Sequence, residues 1–333
     1  MNSNQTAPAK PAPRARRNVG VRVLNALLRA FDSWAGQAEG PHVAEGDRRI
    51  DWVRAWPFLA LHLFLLSPIL VGWSWFAVAT AAALYVLRMF AITGFYHRYF
   101  SHRTFKTSRF MQFVFAMWGN SAMQRGPLWW AAHHRVHHRN SDQENDVHSP
   151  IRFGFLYSHM GWIMSRGNSR TRVDLVPDLA KFPELRFIDR FDTLVPIAMG
   201  TLLYFAGVML EAFAPGLGTN GGQLFCWGVI STIVLYHGTF TINSLSHIYG
   251  TRRFDTEDSS TNNVWLAFVT LGEGWHNNHH HYQHSTRQGF YWWEVDITYY
   301  GLKVLSWLRL VRDLKPVPAH VLAEAGRKLQ NAA

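Results

Sequence analysis

No charged residue occurs between Trp56 and Leu87. A stretch of that length exceeds any ordinary core helix and also exceeds the ~20 apolar residues of one membrane span. It divides naturally into two helices, about Trp56–Leu70 and Trp73–Gly94, with Pro68 and Gly72 marking the turn. Two further apolar blocks, about Leu194–Leu210 and Leu224–Leu245, flank the Gly-rich segment APGLGTNGG. Four helices then cross the bilayer. A soluble protein with two buried helical hairpins is the weaker alternative. The segments Phe110–Met123 and Tyr299–Leu310 are apolar but short or interrupted, which suits the membrane interface better than a crossing.

Charge distribution orients this arrangement. The chain carries a formal net charge of +11, yet the connections around Gly72 and Gly218 hold no Lys or Arg. The positive-inside rule therefore puts the N-terminal tail, the stretch from Tyr96 to Arg190 and the tail after His247 in the cytoplasm, with both termini inside. No nucleic-acid-binding motif accompanies the charge, so a nucleic-acid partner is not expected and contact with membrane lipid is. The 15 tryptophans fit interfacial belts and apolar cavities. Cys226 is the only cysteine, which excludes an intrachain disulfide. The expected organisation is a disordered basic tail over 1–20 and a cytosolic or interfacial helical segment over 21–55. Spans 1 and 2 follow over 56–95, a cytosolic cap over 96–191, spans 3 and 4 over 192–247, a second cap segment over 248–315, and a tail over 316–333.

Nine of the 18 histidines recur at metal-ligand spacing. They are His97 and His102 in HRYFSH; His134, His137 and His138 in HRVHH; His247, four residues after Asn243, in NSLSH; and His276, His279 and His280 in HNNHH. Positions i, i+3 and i+4 share a helical face, so each triplet can present three imidazoles together. Adjacent histidines diverge by about 100°. His137 and His138 can therefore serve different ions, as can His279 and His280. His97 and His102 are five apart and share no α-helical face. They are expected at a helix end and beyond a bend near Ser101. One cation takes only a few such donors, so nine suggest two. Without thiolates, a closed cysteine site is excluded, while imidazole suits zinc, copper, iron and nickel alike. Asn243 is a weak ligand and is expected to act through a bound water. Asp142, Glu144, Asp146, Asp258 and Glu273 are candidates to orient ring N–H groups. His133 and His281 flank the triplets and are expected outside the ligand set, with His42, His62, His148, His159, His237, His284 and His320. His62 and His237 are read as the ionisable residues held within the spans.

The strings HRYFSHRTFK, HHRVHH, NSLSHIYGTRRFD and GEGWHNNHH, in this order among four apolar blocks, resemble the membrane fatty acyl desaturases of the stearoyl-CoA (delta-9) group. The HHHY run and the stretch FYWWEVDITYY are similar to bacterial members. The resemblance spans roughly Leu84 to Trp307. It implies an all-α integral membrane fold whose cytosolic helical cap carries a histidine-rich di-metal site. It also implies two iron ions, O2 as co-substrate, and insertion of a cis double bond into a saturated acyl chain carried by CoA, a carrier protein or a lipid. The implied ligands are His97, His102, His134, His137, His138, His247, His276, His279 and His280, with Asn243 through water. No side chain beyond the metal centre need act as an acid or base.

This chain has Ala132-His133 where animal relatives have Arg-Asp, which bears on contacts to a CoA headgroup. It shows no fused cytochrome b5 domain, so a separate electron donor is implied: a ferredoxin, a rubredoxin, or cytochrome b5 with its reductase. A bent apolar tunnel is expected to run from the metal site into the helix bundle, with Tyr85 and Met89 limiting its depth. Arg125, Arg152, Arg166 and Lys181 are candidates to hold carrier phosphates, an acidic donor or anionic lipid. A di-iron hydroxylase is the nearest alternative. A metal transporter is disfavoured, because it needs ionisable groups along a path through the bilayer. The expected location is the inner membrane of a bacterium.

Overall fold

The computed structural model describes residues 20, 28, 31–35 and 46–324. The expected basic tail over 1–20 lies outside these residues except for Gly20. Much of the 21–55 segment, including His42, and the end of the C-terminal tail also lie outside.

Four helices are long and apolar enough to cross a membrane: Trp52–Val71, Trp75–Ser101, Leu194–Phe213 and Gly221–His247. Helices suit this role because a bilayer offers the backbone no hydrogen-bonding partner. The first span begins four residues earlier than its apolar run suggested and takes in Arg54, whose guanidinium reaches the Ser33 carbonyl at 2.8 Å. Pro68 does not make the turn. It opens the last helical turn of the span, Pro68–Val71, where a missing N–H costs nothing. The chain reverses at Gly72, whose φ of 69° suits glycine. Ser74 then caps the second span by accepting from the Ala77 N–H. Asn220 does the same for the fourth span, through the Gln223 N–H.

Spans 2 and 4 form the inner pair, and spans 1 and 3 lie outside them with only 11% of each apolar window buried. Small residues on span 4 let spans 2 and 3 approach it closely. A methyl group at Gly228 would meet Leu203 at 2.6 Å, and one at Gly238 would meet the Tyr85 hydroxyl at 2.8 Å. The reading of His62 and His237 as the ionisable residues in the spans missed Arg88. Arg88 is buried within span 2 and bonds the hydroxyls of Thr232 at 2.6 Å and Ser231 at 2.8 Å. Those hydroxyls satisfy donors that lipid could not.

The remaining chain folds as a helical cap over one end of the bundle. Among the described residues its regular strands are Lys106–Thr107 and Val311–Arg312, paired antiparallel. They tie the middle of the chain to its end. Arg98 makes a second tie: fully buried, it bonds Glu273 at 2.9 Å, Asp296 at 2.9 Å and the Thr286 carbonyl at 2.8 Å. The two apolar segments expected at the interface form the helices Arg109–Asn120 and Ile297–Trp307.

Candidate metal centre

The nine histidines come from four places, and each is set by local structure. The end of span 2, Ala91–Ser101, is wound as a π-helix. The His102 N–H bonds the His97 carbonyl at 3.3 Å. The wider turn brings residues five apart to one side, and the two rings lie 4.8 Å apart. The expectation that His97 and His102 share no face assumed α-helical winding. π-Helical turns are rare and gather at functional sites.

The second string lies on the helix Pro127–Asn140. Its first turn is held by buried Asp189, which accepts from the Leu128 and Trp129 N–H groups, each at 2.8 Å. His247 ends span 4 in a 3₁₀ turn. The last string forms a six-residue helix, His276–His281, too short to persist alone. The two asparagines of HNNHH lock it in place. The Asn277 oxygen accepts from the Arg253 and Phe254 N–H groups at 2.8 Å. The Asn278 amide donates to the Gln288 carbonyl and to Glu294, each at 3.0 Å.

These elements bring the nine rings into two groups, within each of which the candidate ligand atoms lie within 4.8 Å of one another. One group holds His97, His102, His134, His138 and His279. The other holds His137, His247, His276 and His280. The adjacent pairs therefore divide between groups, as a 100° step requires. In the first group the Nε2 atoms of His97 and His279 are 3.0 Å apart, those of His102 and His134 are 2.8 Å apart, and those of His138 and His279 are 3.0 Å apart. In the second, the Nε2 atoms of His247 and His276 are 3.1 Å apart. Neighbouring ligands about 2.1 Å from one cation and at right angles stand about 3.0 Å apart. The buried Nε2 atoms of His137 and His280 have no hydrogen-bond partner in the protein. Lone pairs gathered at this spacing fit bound cations.

Carboxylates hold four of the rings from behind. Glu273 lies 2.5 Å from His97 Nδ1, Asp146 2.9 Å from His137 Nδ1, and Asp142 3.2 Å from His247 Nδ1. Asp258 pairs with His280 Nδ1. An acceptor at Nδ1 fixes the proton there and leaves the Nε2 lone pair facing inward. Four of the five candidate acids serve this role, while Glu144 is exposed. Although burial opposes it, hydrogen bonding and charge from His280 and His247 hold Asp258 and Asp142 below the usual carboxylate range. Burial, followed by repulsion from neighbouring rings, pushes His102, His134, His138, His276 and His279 well below the ordinary histidine value. His280 falls to about 4, chiefly through burial. These rings are neutral at pH 7, as ligation needs. His137 runs the other way: burial lowers it, but the Asp146 charge outweighs that and raises it.

A cavity of about 200 Å³ reaches the first group at His134. Phe58 and Leu61 of span 1, Tyr236 and Phe240 of span 4, and Trp129 and Trp130 give it an apolar wall. Asn243 lines it as well, and its carbonyl accepts from Ser158 Oγ. Tyr85 and Met89 are not among the lining residues. The Tyr85 hydroxyl bonds the Val269 carbonyl at 2.7 Å. Met89 is buried behind Thr239, which does line the cavity, with its sulfur 3.8 Å from the hydroxyl. Arg125 lines the cavity in an ion pair with Asp192 at 3.2 Å. Arg152 bonds the Asp142 carbonyl instead. His133 is buried, with Nδ1 on the Trp129 carbonyl at 2.8 Å, and His281 stacks on Phe254.

Sequence reasoning placed His148 outside the pattern. It is buried, lines the cavity, and its ring lies 4.2 Å from that of His137. With His137 and Asp146 it makes a third group of possible ligands. The available signal was its position two residues after Asp146.

A family model described as Fatty acid desaturase matches residues 73–303. The chain belongs to the fatty acid desaturase family. It is 37% identical over 271 residues to an sn-1 stearoyl-lipid 9-desaturase of Anabaena variabilis, covering 80% of this chain and 94% of the relative. It is 36% identical over 295 residues to an acyl-CoA 5-desaturase of Anemone leveillei, covering 84% and 86%. It is 35% identical over 288 residues to a chloroplastic palmitoyl-monogalactosyldiacylglycerol delta-7 desaturase of Arabidopsis thaliana, covering 82% and 73%. The relatives thus differ in both bond position and acyl carrier. This desaturase is an all-α integral membrane oxidoreductase of lipid metabolism, and its histidine groups are compatible with metal binding.

Proposed function

We propose that this desaturase introduces a cis double bond at the delta-9 position of a saturated acyl chain, with acyl-CoA as carrier. Two iron ions would occupy the two histidine groups: His97, His102, His134, His138 and His279 in one, and His137, His247, His276 and His280 in the other, with Asn243 contributing through water. The observation that carries this reading is the apolar cavity that meets the first group at His134. A methylene chain has no polar handle, so shape must hold it, and the aromatic wall supplies shape. An unactivated methylene also resists acids, bases and nucleophiles. With iron bound, the site has the redox chemistry to oxidise it. Overall, two adjacent carbons each lose one hydrogen, and O2 takes up these two hydrogens together with two further electrons and two protons to become two waters.

The protein's own part is positional. Glu273, Asp146, Asp142 and Asp258 keep imidazole lone pairs directed inward. Phe58, Trp130, Tyr236 and Phe240 orient the chain and exclude water. The electrons come from a separate ferredoxin, rubredoxin, or cytochrome b5 with its reductase. By the positive-inside rule the basic regions support a cytoplasmic side for both termini and the metal site, with the spans, in this reading, in the inner membrane of a bacterium.

Expression in a host lacking unsaturated lipids tests this reading, with mass spectrometry of derivatised fatty acids. The expected result is monounsaturation between carbons 9 and 10, iron near two per chain, and no product from His276→Ala. A hydroxylated product would instead support the di-iron hydroxylase. Parallel assays on acyl-CoA and on intact lipid separate the carriers.

A further inference from the structure

Three histidines outside the metal groups form a chain of their own. His62 lies midway along span 1, His237 lies on span 4, and His159 belongs to the wound cap segment Tyr157–Gly161. His62 Nδ1 is 2.9 Å from the Phe58 carbonyl, and its Nε2 is 3.2 Å from His237 Nε2. His237 Nδ1 is 3.0 Å from His159 Nε2, and His159 Nδ1 is 3.0 Å from the Ser244 hydroxyl.

The contacts fix the tautomers. A carbonyl only accepts, so His62 carries its proton on Nδ1 and accepts at Nε2. His237 must then donate from Nε2 and accept at Nδ1, and His159 must donate from Nε2. The same logic rules out a proton conduit, because the Phe58 carbonyl offers a migrating proton no exit. One added proton on His159 leaves every joint bonded, since Ser244 can accept from it while donating to the Phe240 carbonyl at 2.9 Å, but it puts a charge in a half-buried site beside His237. A second added proton forces two N–H groups to face each other at one of the joints.

The chain stands directly behind the cavity wall. The Phe58 ring is 5.0 Å from His62, 5.4 Å from Tyr236 and 6.2 Å from Phe240. The Phe240 ring is 5.7 Å from His159 and 6.1 Å from His237. Span 1 is an outer helix. Its other described side-chain hydrogen bonds to span 4 lie at the far end, from Gln223 to Val71 and from Trp227 to Gly72. Within the span's middle, the His62–His237 bond makes the connection.

We infer that His62, His237 and His159 form a latch that holds span 1 against span 4, closes the cavity wall at Phe58 and Phe240, and so determines which acyl chains fit. The inference rests on the reading of that cavity as the acyl site. It also implies that acid opens the latch. Burial and the neighbouring His237 hold His159 below the ordinary histidine value. A ring whose value is lowered in the closed state favours closure above about pH 6.5 and loses that preference as pH falls. The titratable groups facing the chain are its own members: His237 acts on His159, and His62 on His237. From the elements around it, Arg54 of span 1 is turned to Ser33 and Asp51, and Arg152 of the cap to Asp142.

The test uses the full-length, iron-loaded protein in lipid nanodiscs. Cys226 is replaced by Ser, and spin labels are attached at Leu65→Cys and Val234→Cys, two exposed positions that do not line the cavity. The expected inter-label distance distribution is narrow at pH 8 and broad at pH 5, and broad at both for His237→Leu and His62→Phe. Both variants are expected to retain iron and to raise the ratio of long-chain to short-chain product several-fold, with KM moving more than kcat. His237→Gln, which can both donate and accept, is expected to recover part of the narrow distribution. Unchanged distances in His237→Leu and in the unsubstituted protein at pH 5 overturn the latch. If His237→Leu does not fold, the pH comparison alone decides. Distances that respond in a protein making no double bond uphold the latch and sink the acyl reading. Rigid distances in an active desaturase do the reverse.

Discussion

Two histidine assemblies border one cavity, the first reaching it at His134 and the second standing behind Phe58 and Phe240, and they differ in what stands behind the rings. At the metal centre, acids sit at the Nδ1 atoms of His97, His137, His247 and His280. Along His62, His237 and His159 there is no carboxylate, and the rings bond one another. A carboxylate fixes one tautomer and points a lone pair inward, which makes a ligand. A ring bonded to a ring shares donor and acceptor roles, which makes a joint between helices. The residue type is the same in both places, and the surroundings differ: four of the nine rings at the metal centre have an acid at Nδ1, and none of the three in the membrane chain has one.

The comparison breaks first if the ligand rings prove dispensable. His138→Ala and His279→Ala each remove one nitrogen from the first group, and each is expected to abolish double-bond formation and lower iron content, read by elemental analysis. Next in size is the frame around the centre. Arg98→Met leaves Glu273 and Asp296 buried without their partner, at an expected cost of about 3–5 kcal/mol in thermal or denaturant unfolding. Asp258→Asn and Asp142→Asn keep shape but weaken the inward lone pair, and chelator competition should show iron affinity down about 10–100-fold. The same substitution logic applied to the membrane chain has no iron effect to give. His237→Leu is expected to cost about 1 kcal/mol of helix association, read as lower unfolding stability in detergent at unchanged iron.

Acid sharpens the contrast through the metal-free protein. His102, His134, His138, His276 and His279 are held well below their unfolded value of about 6.5. As pH drops through 6.5 the unfolded chain takes up protons that the folded chain refuses. Stability of the metal-free protein is therefore full above pH 6.5 and declines from there toward pH 5. Bound metal should raise stability wherever it stays bound but leave the decline in place, because protons compete with it for the same nitrogens.

Much of the bundle was legible because a bilayer leaves the backbone few choices. The apolar blocks marked four spans, and the i, i+3, i+4 spacing of the triplets marked their shared faces. The edges were less legible. Pro68 looked like a turn and proved to be a helix start. Arg88 was overlooked inside a span, since its partners are the hydroxyls of Thr232 and Ser231, 144 and 143 residues away. His97 and His102 were assigned to different faces because α-winding was assumed, and the π-helical turn that unites them has no simple sequence mark. His148 was set aside for want of a spacing rule.

The sequence by itself determined which segments enter the membrane and which histidines share a helix face, since both follow from local composition and periodicity. Only the tertiary structure decided how nine rings divide into two groups, which acids stand behind them, and that three other rings join the spans. Those outcomes depend on contacts between residues as far apart as His62 and His237, and on the tautomers such contacts impose, which no local pattern encodes.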